Sequence, residues 1–365
     1  MSHNLDKPGC NKNAVFGALL ALFMSFSGSA RANDVTVDCT GATAGAFTSI
    51  SAALETLDRQ GPHTIFLLPG NCVEAVRIID RERLTIDASP QGNAWAVSPD
   101  GSPPIVISGS HGVTLIQMGA TGGNFNGILI NRDSEVSILG MTIQNNGGNG
   151  VVVKGGSTVL FGDNNVSFNG ANGVNVVENS VGTFTGSAAG ANGLLAEHNG
   201  ENGLRCSYGA TCFVLGFVTA QNNGVAGLSV SNGARVQIDS DDGPNIFQGN
   251  TFAGIAVVRN STAFIFGAQR TFVQNNPGMG IDVEGNASLV LLDTTVSNNQ
   301  QPGLAAVRIA LTEFGGNNIF ADNGTANLSC DSTSLFSGDL VGIGKISCKR
   351  IEHANGPPRH GQIDE

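Results

Sequence analysis

Aromatic residues other than phenylalanine are nearly missing from this chain, which has one Trp, Trp95, and one Tyr, Tyr208, beside 19 Phe. Sugar-binding surfaces commonly present Trp or Tyr rings, so the scarcity counts against a site built by tight stacking. Charge is scarce too, at 13% of residues, and basic residues are the rarer sign: 18 against 29 acidic, a net charge of -11. An acidic chain repels nucleic acid and anionic membranes, which removes both from the expected partners. The apolar run Ala14 to Phe26 is too short to cross a bilayer as a stable helix. No Cys-x-x-Cys occurs and no histidine lies near a cysteine, so zinc lacks its usual ligand spacing.

What is abundant is glycine, 51 residues, within a chain that is 41% hydrophobic. Such a composition is too apolar for disorder and too rich in turn formers for a helical protein, so it reads as all-β. Lys7 and Lys12 precede the apolar run, and Ala30-Arg31-Ala32 offers a small-x-small cleavage site. Residues 1–32 are therefore expected to be a signal peptide, giving a secreted chain, extracellular or periplasmic, that starts near Asn33. Of seven cysteines, Cys10 would leave with the signal. The other six fall into local pairs, Cys39-Cys72, Cys206-Cys212 and Cys330-Cys348, as expected of disulfides in an exported protein.

A glycine returns at Gly150, Gly173, Gly203, Gly227, Gly254, Gly280 and Gly303, each four residues behind an asparagine: Asn146, Asn169, Asn199, Asn223, Asn250, Asn276 and Asn299. Repetition at this spacing marks a solenoid. Aligned on the glycine, a first strand places Ile128, Val151, Val174, Leu204, Leu228, Ile255, Ile281 and Leu304 in one inward column. A second strand carries Val136, Val159, Gly182, Cys212, Val236, Ala263 and Leu289, with Ile138, Phe161 and Phe184 beginning the next column. A third is fixed by Ile143, Val166, Ala196, Ala220, Phe247, Val273, Val296 and Phe320. Period-two alternation in three strands per coil predicts a parallel β-helix over residues 33–324. The asparagines are expected to form a stacked ladder in a left-handed turn, with the glycine serving turn geometry. A short amphipathic cap helix is expected over 47–60, a disulfide-closed C-terminal cap over 325–353 and a flexible tail over 354–365.

The stretch "IFLLPGNCVEAVRI" (65–78), "LTIDAS" and coils such as "QNNGGNGVVV" resemble exported proteins of the pectin-lyase-like superfamily. That resemblance covers about residues 34–350 and implies a right-handed parallel β-helix. It implies little about activity, because the superfamily holds lyases, hydrolases, esterases, epimerases and adhesins. In the places that match polygalacturonase-like carboxylates stand Asn149, Asn172 and Asn202, and an amide cannot act as the acid of glycoside cleavage. Asp241-Asp242 is a lone match to that pattern. The segment "AFIFG" (263–267) resembles a pectin methylesterase segment but has Ala263 in place of the nucleophilic aspartate. The Asp-Pro-His-His segment of alginate-type epimerases and lyases is absent.

Pectate lyases of this superfamily bind Ca²⁺ through carboxylates and use an arginine or lysine as base. The residue types suited to that chemistry are Lys154, Arg205, Asp282 and Glu284 in the outward columns of the first strand. Asn175, Ser207 and Tyr208 are candidates for ligand contact on that face. Asp239, Asp241 and Asp242, in a lengthened coil, are candidates for Ca²⁺. The leading expectation is an exported binding or structural module acting toward polysaccharide or cell-surface glycan without an assignable catalytic centre. The rivals are a Ca²⁺-dependent lyase-like enzyme on uronate glycans, and an adhesin or envelope scaffold needing no groove.

Overall fold

In the computed structural model, which describes residues 33–89, 91–187, 193–340 and 343–348, the chain winds through three parallel sheets. The first strands form a sheet of 12, the second strands a sheet of 13 and the third strands a sheet of 11. Each strand pairs in parallel with its equivalent one coil away, and the pairings reproduce the expected columns. Ile128 faces Val151, Val136 faces Val159 and Ile143 faces Val166. This is an all-β parallel β-helix. The inward columns are buried almost without exception, and Phe161 and Phe184 stack with ring centroids 5.4 Å apart.

On each coil from Asn146 to Asn323 the ladder asparagine satisfies backbone groups that no strand can reach. The carboxamide oxygen of Asn223 accepts from the backbone N and the Nδ2 of Asn199, both at 3.1 Å. Its Nδ2 donates to the Ala196 carbonyl at 3.1 Å and to Asn250 Oδ1 at 3.0 Å. The row extends beyond Asn299 to Asn323, and from there to Asn327. Buried polar groups of a turn are thus paired in the same way coil after coil.

Two local expectations are corrected. The left-handed residue is not the ladder asparagine but the one before it, as at Asn145, Asn222, Asn275 and Asn298 with φ of 55–56°. Nor do the repeating glycines serve a left-handed turn. A Cβ on Gly227 would lie 2.7 Å from the Gly254 carbonyl oxygen and 2.8 Å from Asn250 Nδ2, so glycine is required for close approach between coils.

At the first turn the helix spans only Ile50–Thr56, shorter than the expected 47–60. Phe47 pairs with the edge strand instead, accepting from Asp38 N at 2.8 Å, and Leu57 turns extended to enter the core before the strand Gln60–Leu67. Ser49 caps the helix through Ala52 N, while the Glu74 carboxylate accepts from Ile50 N and Ser51 N. At the far end the strands Leu328–Cys330, Leu335–Gly338 and Ile346–Cys348 continue two of the sheets, stapled by the Cys330–Cys348 disulfide. Cys39–Cys72 and Cys206–Cys212 are also joined. The expected signal segment, the tail over 354–365 and the last residues of the cap lie outside the described residues. Among those described, no helix is long and apolar enough to cross a membrane.

Candidate functional site

Strand pairing fixes how far apart the sequence-derived candidates lie. Asn175 pairs with Arg205, Arg205 with Ser229, Ser229 with Ala256 and Ala256 with Asp282. Arg205 and Asp282 are therefore three coils apart, roughly 14 Å at the usual parallel-strand separation. Lys154 lies two coils before Arg205, and Glu284 shares a strand with Asp282. These four side chains are not brought to one centre.

Asp282 is unusual in itself. It sits between Ala256 and Ala305 on the outward side of the first sheet yet is only 4% exposed. Burial, then the negative charge of Glu284, pushes its carboxyl up to about 7, against the opposing pull of Arg308. Arg308 pairs with Glu284.

The remaining candidates scatter. Asn175 is half-buried, with an Oδ1 that lacks a hydrogen-bond partner. Ser207 is fully buried beside the Cys206–Cys212 disulfide, so it does not line an open surface. Tyr208 is exposed at the left-handed turn that this disulfide spans. Two of the three aspartates of the lengthened coil accept from backbone: Asp241 N donates to Asp239 Oδ1 within the coil, and Ala268 N of the next coil to Asp241 Oδ1, both at 2.9 Å. Among the described residues, the group of metal-ligating side chains with donor atoms all within 4.8 Å of one another is Cys39, Cys72 and Glu74. Its two cysteines are consumed by their disulfide. The three aspartates therefore do not form a ready Ca²⁺ cage.

Two asparagine rows, not one, run along the coils. Asn149, Asn172 and Asn202, which occupy the places of hydrolase carboxylates, belong to a second row. Asn149 Nδ2 donates to Asn126 Oδ1 at 3.1 Å, Asn172 to Asn149 at 2.9 Å and Asn202 to Asn172 at 2.7 Å. Their side chains are engaged with one another, with Glu201 and with neighbouring backbone N–H groups.

The outer face of the third sheet holds an arrangement that residue types alone did not single out. One position past the inward column, Glu197 pairs with Gln221, Gln221 with Gln248 and Gln248 with Gln274. Gln221 Nε2 donates to Glu197 Oε2 at 2.8 Å, Gln248 to Gln221 Oε1 at 2.9 Å and Gln274 to Gln248 at 3.1 Å. All amides in this row donate toward the N-terminal end, and Glu197, an acceptor only when ionised, terminates it. Beside it, Phe168 and His198 stack on adjacent coils with ring centroids 5.0 Å apart and an interplanar angle of 10°. Once the coils are aligned, Glu197, Gln221, Gln248 and Gln274 fall one per repeat. The signal was present in the sequence but lies in an outward column, where no core pattern draws attention to it.

Comparison with known proteins agrees with the fold. A family model described as the right handed beta helix region matches residues 126–266. Among solved structures, the chain is similar to the A-module of the mannuronan C-5 epimerase AlgE6 of Azotobacter vinelandii. That likeness has 14% identity, 85% of this chain and 95% of that one covered, and a TM-score of 0.53. A similarity to the periplasmic alginate epimerase AlgG has 13% identity, coverage of 79% and 77% and a TM-score of 0.46. One to pectate lyase Pel9A has 12% identity, coverage of 88% and 79% and a TM-score of 0.41. At such identities the likeness concerns the fold alone. No curated protein sequence matches the chain.

Proposed function

We propose that this right-handed parallel β-helix protein, of pectin-lyase-like fold, is exported and binds extended polysaccharide along its outer surface. The observation that carries the reading is the row Glu197, Gln221, Gln248 and Gln274, with one hydrogen-bonding side chain per coil. Within the row Gln221 and Gln248 each use one N–H and one lone pair, and Gln274 one N–H, which leaves further donors and acceptors for a ligand. A polymer that repeats its hydroxyls along its length meets equivalent groups on successive coils. Three internal disulfides suit an oxidising compartment. Affinity electrophoresis of the purified mature chain in gels containing soluble polysaccharides tests the reading. Retardation by at least one polymer, reduced in Gln248→Ala, is expected; uniform mobility in every gel overturns it.

Asp282 favours a second reading, an enzyme acting on acidic glycans, because a buried carboxyl titrating near neutrality suits proton transfer. Three coils separate it from Arg205, so this reading needs a base other than Arg205. Incubation with uronate polymers and Ca²⁺, followed at the absorbance of unsaturated products, tests it. Activity in the parent that is lost in Asp282→Asn would support this reading, and a silent parent would dismiss it.

A further inference from the structure

The left-handed position that precedes each ladder asparagine carries Asn145, Asn222, Asn275, Asn298, Gly249 and Asp322 on six coils. These residue types tolerate that backbone region at little cost. Two coils depart from the rule. Phe168 and His198 hold φ of 54° and 52° there, on neighbouring coils, and stack. A bulky aromatic side chain is disfavoured in left-handed backbone, and here no core burial offsets it: Phe168 is 53% exposed. Two adjacent residues that are locally unfavourable, solvent-facing and mutually aligned are the kind of outlier that points to a ligand.

Their neighbours say which ligand. His198 follows Glu197, the acceptor end of the glutamine row, and its Nδ1 lies 3.6 Å from Glu197 Oε2. From Phe168 to Gln274 the stack and the row span four coil steps, roughly 19 Å, comparable with a short run of sugar rings. The outward positions flanking the row over these coils are Asn165, Leu195, Thr219, Ile246 and Phe272, with Ser167 preceding Glu197 in the row itself. None is basic. Glu197 adds a negative charge, as does Glu201 in the same coil, while Arg270 is directed to Thr295 and the Asn317 carbonyl. A uronate chain would meet carboxylates without a cation to receive it.

Resting on the polysaccharide reading above, we infer that the Phe168–His198 stack is the anchor of a binding site for uncharged, hydroxyl-rich glycan, whose chain continues along Glu197, Gln221, Gln248 and Gln274. A sugar ring lies with its apolar face against the exposed stack, and its hydroxyls pair with the free amide donors and acceptors of the row.

Titration calorimetry with uncharged gluco-, manno-, xylo- and galacto-configured hexasaccharides, beside oligogalacturonate and oligomannuronate hexamers, tests this. The parent protein is expected to bind at least one uncharged hexamer more tightly than either uronate, with little dependence on added salt. Phe168→Asn and His198→Asn together are expected to weaken that binding at least tenfold while leaving the thermal midpoint unchanged or higher, since asparagine suits the left-handed site. Unchanged affinity in the double variant overturns the anchor but leaves polysaccharide binding standing. Tighter binding of a uronate than of every uncharged hexamer overturns the assignment of ligand charge. A parent that binds no hexamer and is retarded by no polymer in the gels fails both readings together.

Discussion

The two asparagine rows share a fold, a residue type and a spacing, yet one runs through the repeat without a break and the other stops. The first, from Asn146 to Asn323, is buried over most of its length, and each amide pairs with backbone groups as well as with its neighbour. The second begins at Asn126 and ends at Asn202, whose oxygen accepts from Ala226 N at 3.2 Å. Beyond it the same column holds Ala226, Ala253 and Met279, which pack with Ala256 and Val258 in a small apolar cluster. The rows also point opposite ways: Asn146 donates forward to Asn169, whereas Asn172 donates back to Asn149. A row that alone satisfies buried carbonyls must be asparagine on every coil. One whose oxygens accept from backbone N–H groups but whose amides donate only to side chains can give way to apolar packing.

Breaking the first row should cost most. Asn223→Ala removes four hydrogen bonds and strands buried partners on both neighbouring coils, an expected loss of about 4 kcal/mol readable in denaturant unfolding. Next comes Asp282, on the strand that carries Met279 of the apolar continuation. Its folded pKa, about 7, lies above the ordinary aspartate value of 3.8, so the native state holds the proton more tightly than the unfolded chain. Its contribution to stability is therefore greatest below about pH 4, declines as pH rises to about 7 and is level above that. Asp282→Asn should flatten the decline and raise stability at pH 8 by about 2 kcal/mol, measured as unfolding midpoints across pH. In the second row, Asn172→Ala should cost somewhat less, about 2 kcal/mol: its bonds to Asn149 and Glu201 are only partly buried, but the buried ones it accepts from Asn202 N and Nδ2 go with it. The smallest change sharpens the contrast from the other side. Ala226→Asn, which would extend the second row by one coil, should shift stability by no more than about 0.5 kcal/mol if packing and the amide row are interchangeable there.

The columns Ile128 to Leu304, Val136 to Leu289 and Ile143 to Phe320 were legible in the sequence because a half-buried strand writes its period of two into apolar residues. The first asparagine ladder and all three disulfides were legible for similar reasons of spacing and count. The reason for each glycine was not, because the atoms that would crowd a Cβ include a carbonyl oxygen one coil away, which sequence-local turn rules cannot see. Outward columns hid the most. Their composition is weakly constrained, so the period alone sets Asp282 and Ser207 on the outward, ligand-facing side although Asp282 is 4% exposed and Ser207 is buried, and it gives no signal of the glutamine row. Strand pairing placed those residues. The repeat register already set Arg205 three coils from Asp282, and the strand pairing reproduces that separation.

From Asn146 to Asn299 each coil passes to the next the same set of demands: a bare glycine beneath a carbonyl, an asparagine ready to accept, a left-handed residue before it. A gene encoding such a chain can gain or lose a segment the length of one repeat by tandem duplication or excision, and the junction meets the same partners as before. The ladder that stabilises the fold therefore also lets the outer face be lengthened, shortened or redecorated during evolution without redesign of the interior.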